Sequence, residues 1–305
     1  MRKFDFVKNF KKSVLVYAVI FVVGIIVSCF GVELDINFKG GTKISYSYTG
    51  EIAEADIKTA LEDVLDAKYT LTMSTSIAGD TQTFEIALAG KDSLSAEKQE
   101  AMYTALTKAF KDNKVVLYNS NSVNPTIAGS FLFKSLAAVT LAAVLVVIYV
   151  SIRFKNIGGF SAALTALVAL VFDVLVSFFT CVIFGLQIDA NYIAVVLTIL
   201  GYSLNDTIVI YDRVRENSKL EPTADIADIV NESLNQSTVR NIVTTVTTIL
   251  AVLTIVVISE LFGLTTLRTF TIPMAFGLIS GAVSSLFISA PLWVVWKKRK
   301  SAKAK

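Results

Sequence analysis

Tyr192-Ile-Ala-Val-Val-Leu-Thr-Ile-Leu-Gly-Tyr-Ser-Leu-Asn-Asp-Thr-Ile-Val-Ile-Tyr211 is twenty residues of mostly apolar chain with one carboxylate, Asp206, set inside it. Twenty such residues are long enough to cross a bilayer as a helix. Arg213, Arg215 and Lys219 follow at once and mark the inner side, because short basic flanks stay in the cytoplasm.

Working outward, comparable runs occupy Val14–Phe30, Phe131–Ile152, Ile157–Phe184, Ile242–Ile258 and Phe270–Trp296, giving six spans. The first resembles a signal peptide, but Gly31-Val-Glu-Leu-Asp35 offers no small-x-small cleavage site, so a retained anchor is expected. Lys and Arg precede span one, sit between spans two and three (Arg153, Lys155) and close the chain (Lys297, Lys298, Arg299, Lys300). The opposite turns are poor in base. Both termini are therefore expected in the cytoplasm and residues 35–125 outside. Lys134, near the outer end of span two, reads as a snorkelling residue.

Of 305 residues, 54% are apolar, which favours the membrane class before any motif is read. A net charge of +3 does not argue for nucleic acid. There is no His, and the two Cys, Cys29 and Cys181, lie in apolar runs and read as small buried hydrophobes. No cofactor and no metal site is expected.

Residues 41–122 change to soluble-domain periodicity. Lys43–Tyr48, Tyr69–Ser76, Gln82–Leu88 and Val115–Asn119 read as strands, with a turn at Gly79-Asp80. Glu54–Leu65 and Ser95–Phe110 have the four-residue apolar spacing of helices. The order β-α-β-β-α-β is that of a ferredoxin-like α+β unit between helices 1 and 2. It carries no catalytic cluster. The expected layout is residues 1–34 for the cytoplasmic N-terminus and helix 1, and 35–125 for the outer domain. Helices 2–6 take 126–296, with a cytoplasmic amphipathic loop at 212–237, and 297–305 form a basic tail. Within that loop, Pro222–Gln236 is expected to be a short helix lying on the inner surface.

Besides Lys134, three ionisable residues matter, in or at the start of spans: Asp173, Asp206 and Arg240. Each costs about 2.5–3.5 kcal/mol on insertion scales, so each is expected to face a partner or a wet path. Asp206 precedes Arg213 by seven residues, roughly 10 Å of helix, and Arg240 begins the next span from the same side. The two are expected to pair across helices, either as a proton or ion relay or as a static salt bridge. Asp173, about 16 residues into its span, is placed roughly 24 Å along and so staggered from Asp206. That stagger argues against an intramembrane aspartyl protease, whose carboxylates must share a proton. Ser203, Asn205 and Thr207 flank Asp206, and Thr244 and Thr245 follow Arg240; such residues line a wet path or glue helices. Gly277, Gly281, Ser284 and Ser285 give span six a small-residue packing face.

Five stretches together resemble the SecF branch of the SecD/SecF export family, within the resistance-nodulation-division superfamily. They are Asp35-Ile-Asn-Phe-Lys-Gly-Gly-Thr42, Val123-Asn-Pro-Thr-Ile-Ala-Gly129, Tyr149-Val-Ser-Ile-Arg-Phe154, Gly201 through Asn217, and Arg240 with its threonines followed by Gly281-Ala-Val-Ser-Ser285. The family often has Gly-Pro where Asn124-Pro125 stands and His-Asp where Phe172-Asp173 stands. The resemblance implies a multi-pass protein of the bacterial inner membrane. It also implies a SecD partner, docking to the SecYEG channel, contact with the translocating preprotein, and ion-gradient-driven late translocation. It further implies a role in proton movement for Asp206 and Arg240, with Asp173 as a further candidate. A passive scaffold and half of a small-molecule exporter are the alternatives.

Overall fold

The computed structural model describes residues 4–62, 64–65, 69–74, 81–89, 95–262 and 264–303. Six helices are long and apolar enough to cross a membrane. The first, α1 (Phe6–Ser28), starts eight residues before the apolar run, because the Asp5 carboxylate caps it by accepting from the Lys8 backbone N–H at 2.9 Å. Cys29 at its C-terminal end is exposed rather than buried, while Cys181 is buried; both are free thiols.

A four-residue helix, α2 (Ile36–Lys39), leads into the sheet-bearing domain: β1 (Gly41–Thr49), α3 (Glu54–Glu62), β2 (Tyr69–Ser74), β3 (Thr81–Ala89), α4 (Ala96–Ala109) and β4 (Val116–Val123). The expected Gly79-Asp80 turn lies outside the described residues. The strands are antiparallel in the order β2-β3-β1-β4. Period-two alternation puts Ile44, Tyr46, Tyr48, Phe84, Ile86 and Leu88 on one face, where Ile57 and Leu61 of α3 and Met102 and Leu106 of α4 complete a buried core. The other face is polar and displays Lys43, Ser45 and Glu85.

This domain is tied to the bundle through residues 33–40. Leu34 bridges Ile188 in the turn between two spans, Asp35 N–H donates to Ile188 O at 3.0 Å, and Phe38 packs on Phe131 with ring centroids 5.4 Å apart. Gly40 has φ +77°, and a Cβ there would lie 2.8 Å from Pro125 Cα. Only glycine fits both the backbone angle and that approach.

The remaining spans are α5 (Pro125–Arg153), α6 (Gly159–Ile183), α7 (Ala190–Leu220) and α8 (Ile226–Phe262). The last span combines α9 (Thr265–Ser284), a π turn (Ser285–Ser289) and α10 (Ala290–Lys303). Asn124 caps α5 with Pro125 in its first turn, and Asp189 caps α7.

The amphipathic loop expected at 212–237 does not exist as such. α7 runs on to Leu220 and α8 starts at Ile226, leaving only 221–225 between them. The apolar face of Pro222–Gln236 is not spread on a surface. Ile229, Val230 and Leu234 are buried against Phe6, Ile210, Tyr211, Val214 and Trp293 in the bundle core. Asn217 Nδ2 donates to Ser233 Oγ at 2.9 Å and to Gln236 Oε1 at 3.1 Å, zipping the two helix ends. Asp212 binds Arg153 at 2.8 Å and Arg215 at 2.9 Å, which keeps α7 helical beyond the apolar run.

Candidate functional site

α6, α7 and α9 cross where their residues are small. A Cβ on Gly281 would come 2.9 Å from Ser203 Cβ, and one on Gly277 would run into the Ile199 side chain. This close approach surrounds Asp173, which is completely buried. Its Oδ2 accepts from Ser203 Oγ at 2.7 Å and Ser284 Oγ at 3.0 Å, and its Oδ1 accepts from Ser280 Oγ at 2.7 Å. Tyr17 on α1 contacts Ser280 Oγ at 3.2 Å and donates to Ser280 O at 3.1 Å. No ion pair reaches Asp173 among the described residues.

One turn further along α7, Thr207 Oγ1 meets Ser285 Oγ at 3.0 Å. Another turn on, the Tyr211 hydroxyl meets Ser289 Oγ at 3.0 Å and Thr165 Oγ1 at 2.8 Å. Trp293 Nε1 then donates to Ser161 Oγ at 3.0 Å. Hydroxyls at 280, 284, 285 and 289 thus form one stripe of the last span, and the π turn falls within it. Short π segments inside α-helices occur often at functional sites.

Asp206 occupies a different setting. It is 4% exposed, and its Oδ2 has no hydrogen-bond partner. The expected Asp206–Arg240 ion pair is not formed: no bridge within 4.0 Å joins them, and Arg240 is exposed on α8, although its charge acts on Asp206. Helix rise gives the reason. The contacts Tyr202–Thr248 and Asn217–Ser233 set the antiparallel register of α7 and α8: Asp206 is level with Thr244, and Arg240 lies four residues, about 6 Å, further toward the 221–225 turn. Thr245 Oγ1 and both amide atoms of Asn241 are also buried without partners. Asn241 and Thr245 line an apolar groove with Phe4, Phe6, Ile279, Val283 and Leu286, on the side of α8 that faces the last span.

The depth expected for Asp173 is also corrected. It is bonded to Ser203, only three residues, about 4.5 Å, from Asp206 along α7. The carboxylates are thus close in height, and depth does not exclude a dyad. What separates them is direction: Asp173 is enclosed by serines and makes no hydrogen bond to Asp206.

Of the other residues singled out in the sequence, Ser203, Gly281 and Ser284 converge on Asp173, and Thr207 joins Ser285. Asn205 is exposed, and Thr244 donates back to Arg240 O and Asn241 O of its own helix. Thr248 bonds across to the Tyr202 hydroxyl at 2.9 Å. Tyr17, Ser280, Tyr211 and Ser289 were not anticipated. The four-residue spacing of Ser280, Ser284 and then Ser285, Ser289 was the available signal. Among the described residues no group of His, Cys, Asp and Glu could hold a metal.

A helical bundle with a sheet-bearing insert after its first span and buried carboxylates in two others defines a polytopic membrane protein built around intramembrane polar sites. Residues 102–299 match the family model described as protein export membrane protein SecD/SecF, C-terminal. The protein translocase subunit SecF of Alicyclobacillus acidocaldarius is 33% identical over 99% of this chain and 96% of its own length. The protein translocase subunit SecDF of Bacillus subtilis is 32% identical over 99% of this chain but only 39% of its own. The crystal structure of SecDF from Thermus thermophilus, a translocon-associated membrane protein, superposes with a TM-score of 0.81 at 26% identity, covering 97% of this chain and 39% of that one. The chain belongs to the SecD/SecF family. It spans about two fifths of the solved SecDF chains and 78–100% of the separate SecF relatives.

Proposed function

We propose that the chain is an accessory subunit of the Sec protein-export machinery. With a SecD partner at the SecYEG channel, it uses the proton or sodium gradient to promote late translocation of unfolded preproteins. The observation that carries this reading is Asp206, a buried carboxylate in a membrane span with an unmade hydrogen bond and Arg240 acting on it from the next helix. A bare ionised carboxylate in that setting is costly, so proton uptake and a change of partner are coupled there.

Arg240 is exposed in the isolated chain near the end of the apolar run of α8. A guanidinium in that position needs water or a partner. In the active assembly it turns toward Asp206 or toward a SecD helix, and protonation of Asp206 releases it. The strand order β2-β3-β1-β4 with two helices on one face fits a ferredoxin-like domain. We assign that domain to the outer side of the membrane, with both termini and the basic tail in the cytoplasm, following the basic flanks. Residues 33–40, clamped to the α6–α7 turn, would carry motion from the spans to this domain.

The cellular test is export of a secreted preprotein in a strain relying on Asp206→Asn. The reading requires a severe secretion defect at normal protein level. Undiminished export would leave only a scaffold role.

A further inference from the structure

Asp173 shares neither partner nor path with Asp206, and it faces an unusual set of groups. Among the described residues, α7 and α9 bring it the hydroxyls of Ser203, Ser280 and Ser284, and α1 brings the titratable Tyr17 against Ser280. No Lys, Arg or second carboxylate among the described residues bonds to it. Enclosing a lone carboxylate in an apolar bundle costs several kcal/mol when it is ionised. Serine hydroxyls both donate and accept. When Asp173 is ionised, all three serines donate to it. When it is protonated, its own O–H donates to one serine, which turns its hydrogen elsewhere, and no heavy atom needs to move. The cage thus tolerates both states.

The hydroxyls beyond the cage form steps. Ser285 Oγ lies 3.4 Å from Ser203 O and 3.0 Å from Thr207 Oγ1. Ser289 Oγ, the Tyr211 hydroxyl and Thr165 Oγ1 form the next rung at 3.0 and 2.8 Å. The carbonyl of Ser203 accepts but cannot pass a proton on; Ser203, Thr207 and Tyr211 follow each other at four residues on α7, about 6 Å, so one bridging water is required between the cage and the first rung and another between the two rungs. All of these side chains point into the α6–α7–α9 interface, and the stripe ends near Trp293 and Lys297 at the basic end of the bundle.

We propose that Asp173 is a second proton-binding site, filled through this file of hydroxyls from the basic end of the bundle and independent of the Asp206–Arg240 switch. The proton taken up by the Asp173 carboxylate comes from the solvent at that end. Each hydroxyl and each bridging water in the file accepts one proton and passes on another, so the file ends unchanged. The inference extends the ion-coupled reading given above, but it stands or falls on Asp173 alone.

The test is infrared spectroscopy of the purified full chain in lipid nanodiscs, with exchange into heavy water. The expected result is a protonated-carboxyl C=O band that is absent in Asp173→Asn and retained in Asp206→Asn. Its deuterium shift should slow roughly tenfold, a barrier change of about 1.4 kcal/mol, in the pair Tyr211→Phe with Ser289→Ala. If Asp173→Asn does not fold, Ser280→Ala keeps the acid, removes one hydrogen bond and should move the same band. The proposal is overturned if the band survives in Asp173→Asn, if Ser280→Ala leaves it unmoved, or if exchange in the Tyr211/Ser289 variant matches wild type. Loss of export in Asp206→Asn alongside any of those outcomes would leave the Asp206 reading intact.

Discussion

Gly281→Ala adds a single methyl group where α9 meets α7, and the structure gives its consequences. The new Cβ would sit 2.9 Å from Ser203 Cβ, 3.1 Å from Ser203 Oγ and 3.6 Å from Asp173 Oδ2. Carbon atoms are comfortable at about 3.5–4.0 Å, so the helices must part by at least about half an ångström. Ser203 Cβ is attached to the backbone and cannot swing aside. The separation pulls Ser203 Oγ from its 2.7 Å bond to Asp173. Overpacking of this kind costs about 1–3 kcal/mol, and weakening the hydrogen bond adds up to about 1.5 kcal/mol. Alanine's better helix propensity returns about 1 kcal/mol. The terms sum to a net loss of about 0–3.5 kcal/mol against wild type, and of about 1–4.5 kcal/mol against a variant with the same propensity gain and no clash. Gly201→Ala is the matched control: it lies in a membrane helix too, and its Cβ would meet nothing within 4 Å. It should be neutral or stabilising by up to about 1 kcal/mol. Unfolding in mixed micelles by titration with a denaturing detergent, followed through Trp293 and Trp296 fluorescence, compares the two directly. Equal stability, or a more stable Gly281→Ala, would refute the close crossing and with it the tight enclosure of Asp173.

Gly40→Ala places a side chain at φ +77° and 2.8 Å from Pro125 Cα, so it should cost about 1–3 kcal/mol at this junction; trypsin should cut faster after the exposed Lys39 than in wild type. Asp212→Asn weakens two pairs that are each about a third exposed, so the loss should be about 0.2–1 kcal/mol per pair and should shrink in high salt; a larger, salt-independent loss would contradict a surface clasp. Burial pushes the Lys43 ammonium down, but the hydrogen bond and charge of Glu85, at 2.7 Å, and the charge of Asp35 outweigh it and hold its pKa above the usual lysine value. A raised folded-state pKa means that this stabilisation is complete below the ordinary lysine range and is lost as pH rises through the folded value. Alkali should therefore loosen the sheet-bearing domain in wild type, and Lys43→Met should abolish that step in a pH titration of tryptic cleavage.

The long apolar runs made the six spans legible, because bilayer thickness dictates their length. Alternation at Lys43–Tyr48 and four-residue spacing at Met102, Leu106 and Phe110 made the sheet and its helices legible for the same kind of reason. Span ends were harder. The extension of α7 past Tyr211 comes with burial of Val214 in the bundle core and with bonds from Asn217 to Ser233 and Gln236 and from Asp212 to Arg153, partners distant in sequence. The fusion of Ile226–Gln236 into α8 brings Ile229 and Leu234 into the core with Phe6 and Trp293, contacts that local periodicity does not reveal. At the site, Gly277 and Gly281 lie where a Cβ would meet Ile199 and Ser203, and their spacing in the sequence does not reveal that Asp173 is enclosed there. The Asp206–Arg240 pairing rested on assuming that both spans begin at their flanking arginines. Both helices continue beyond those points, and the contacts between them leave Arg240 about 6 Å from the level of Asp206.

Gradient-driven translocation in membrane vesicles containing SecD and SecYEG tests the central claim most directly. A preprotein arrested after its first ATP-driven insertion would be chased by imposing a proton or sodium gradient, with wild type compared with Asp206→Asn and Arg240→Met. The account requires that the gradient complete translocation in wild type and give no increment in either variant, with the ATP-driven phase unaltered in all three. An undiminished gradient-dependent increment in Asp206→Asn would contradict it.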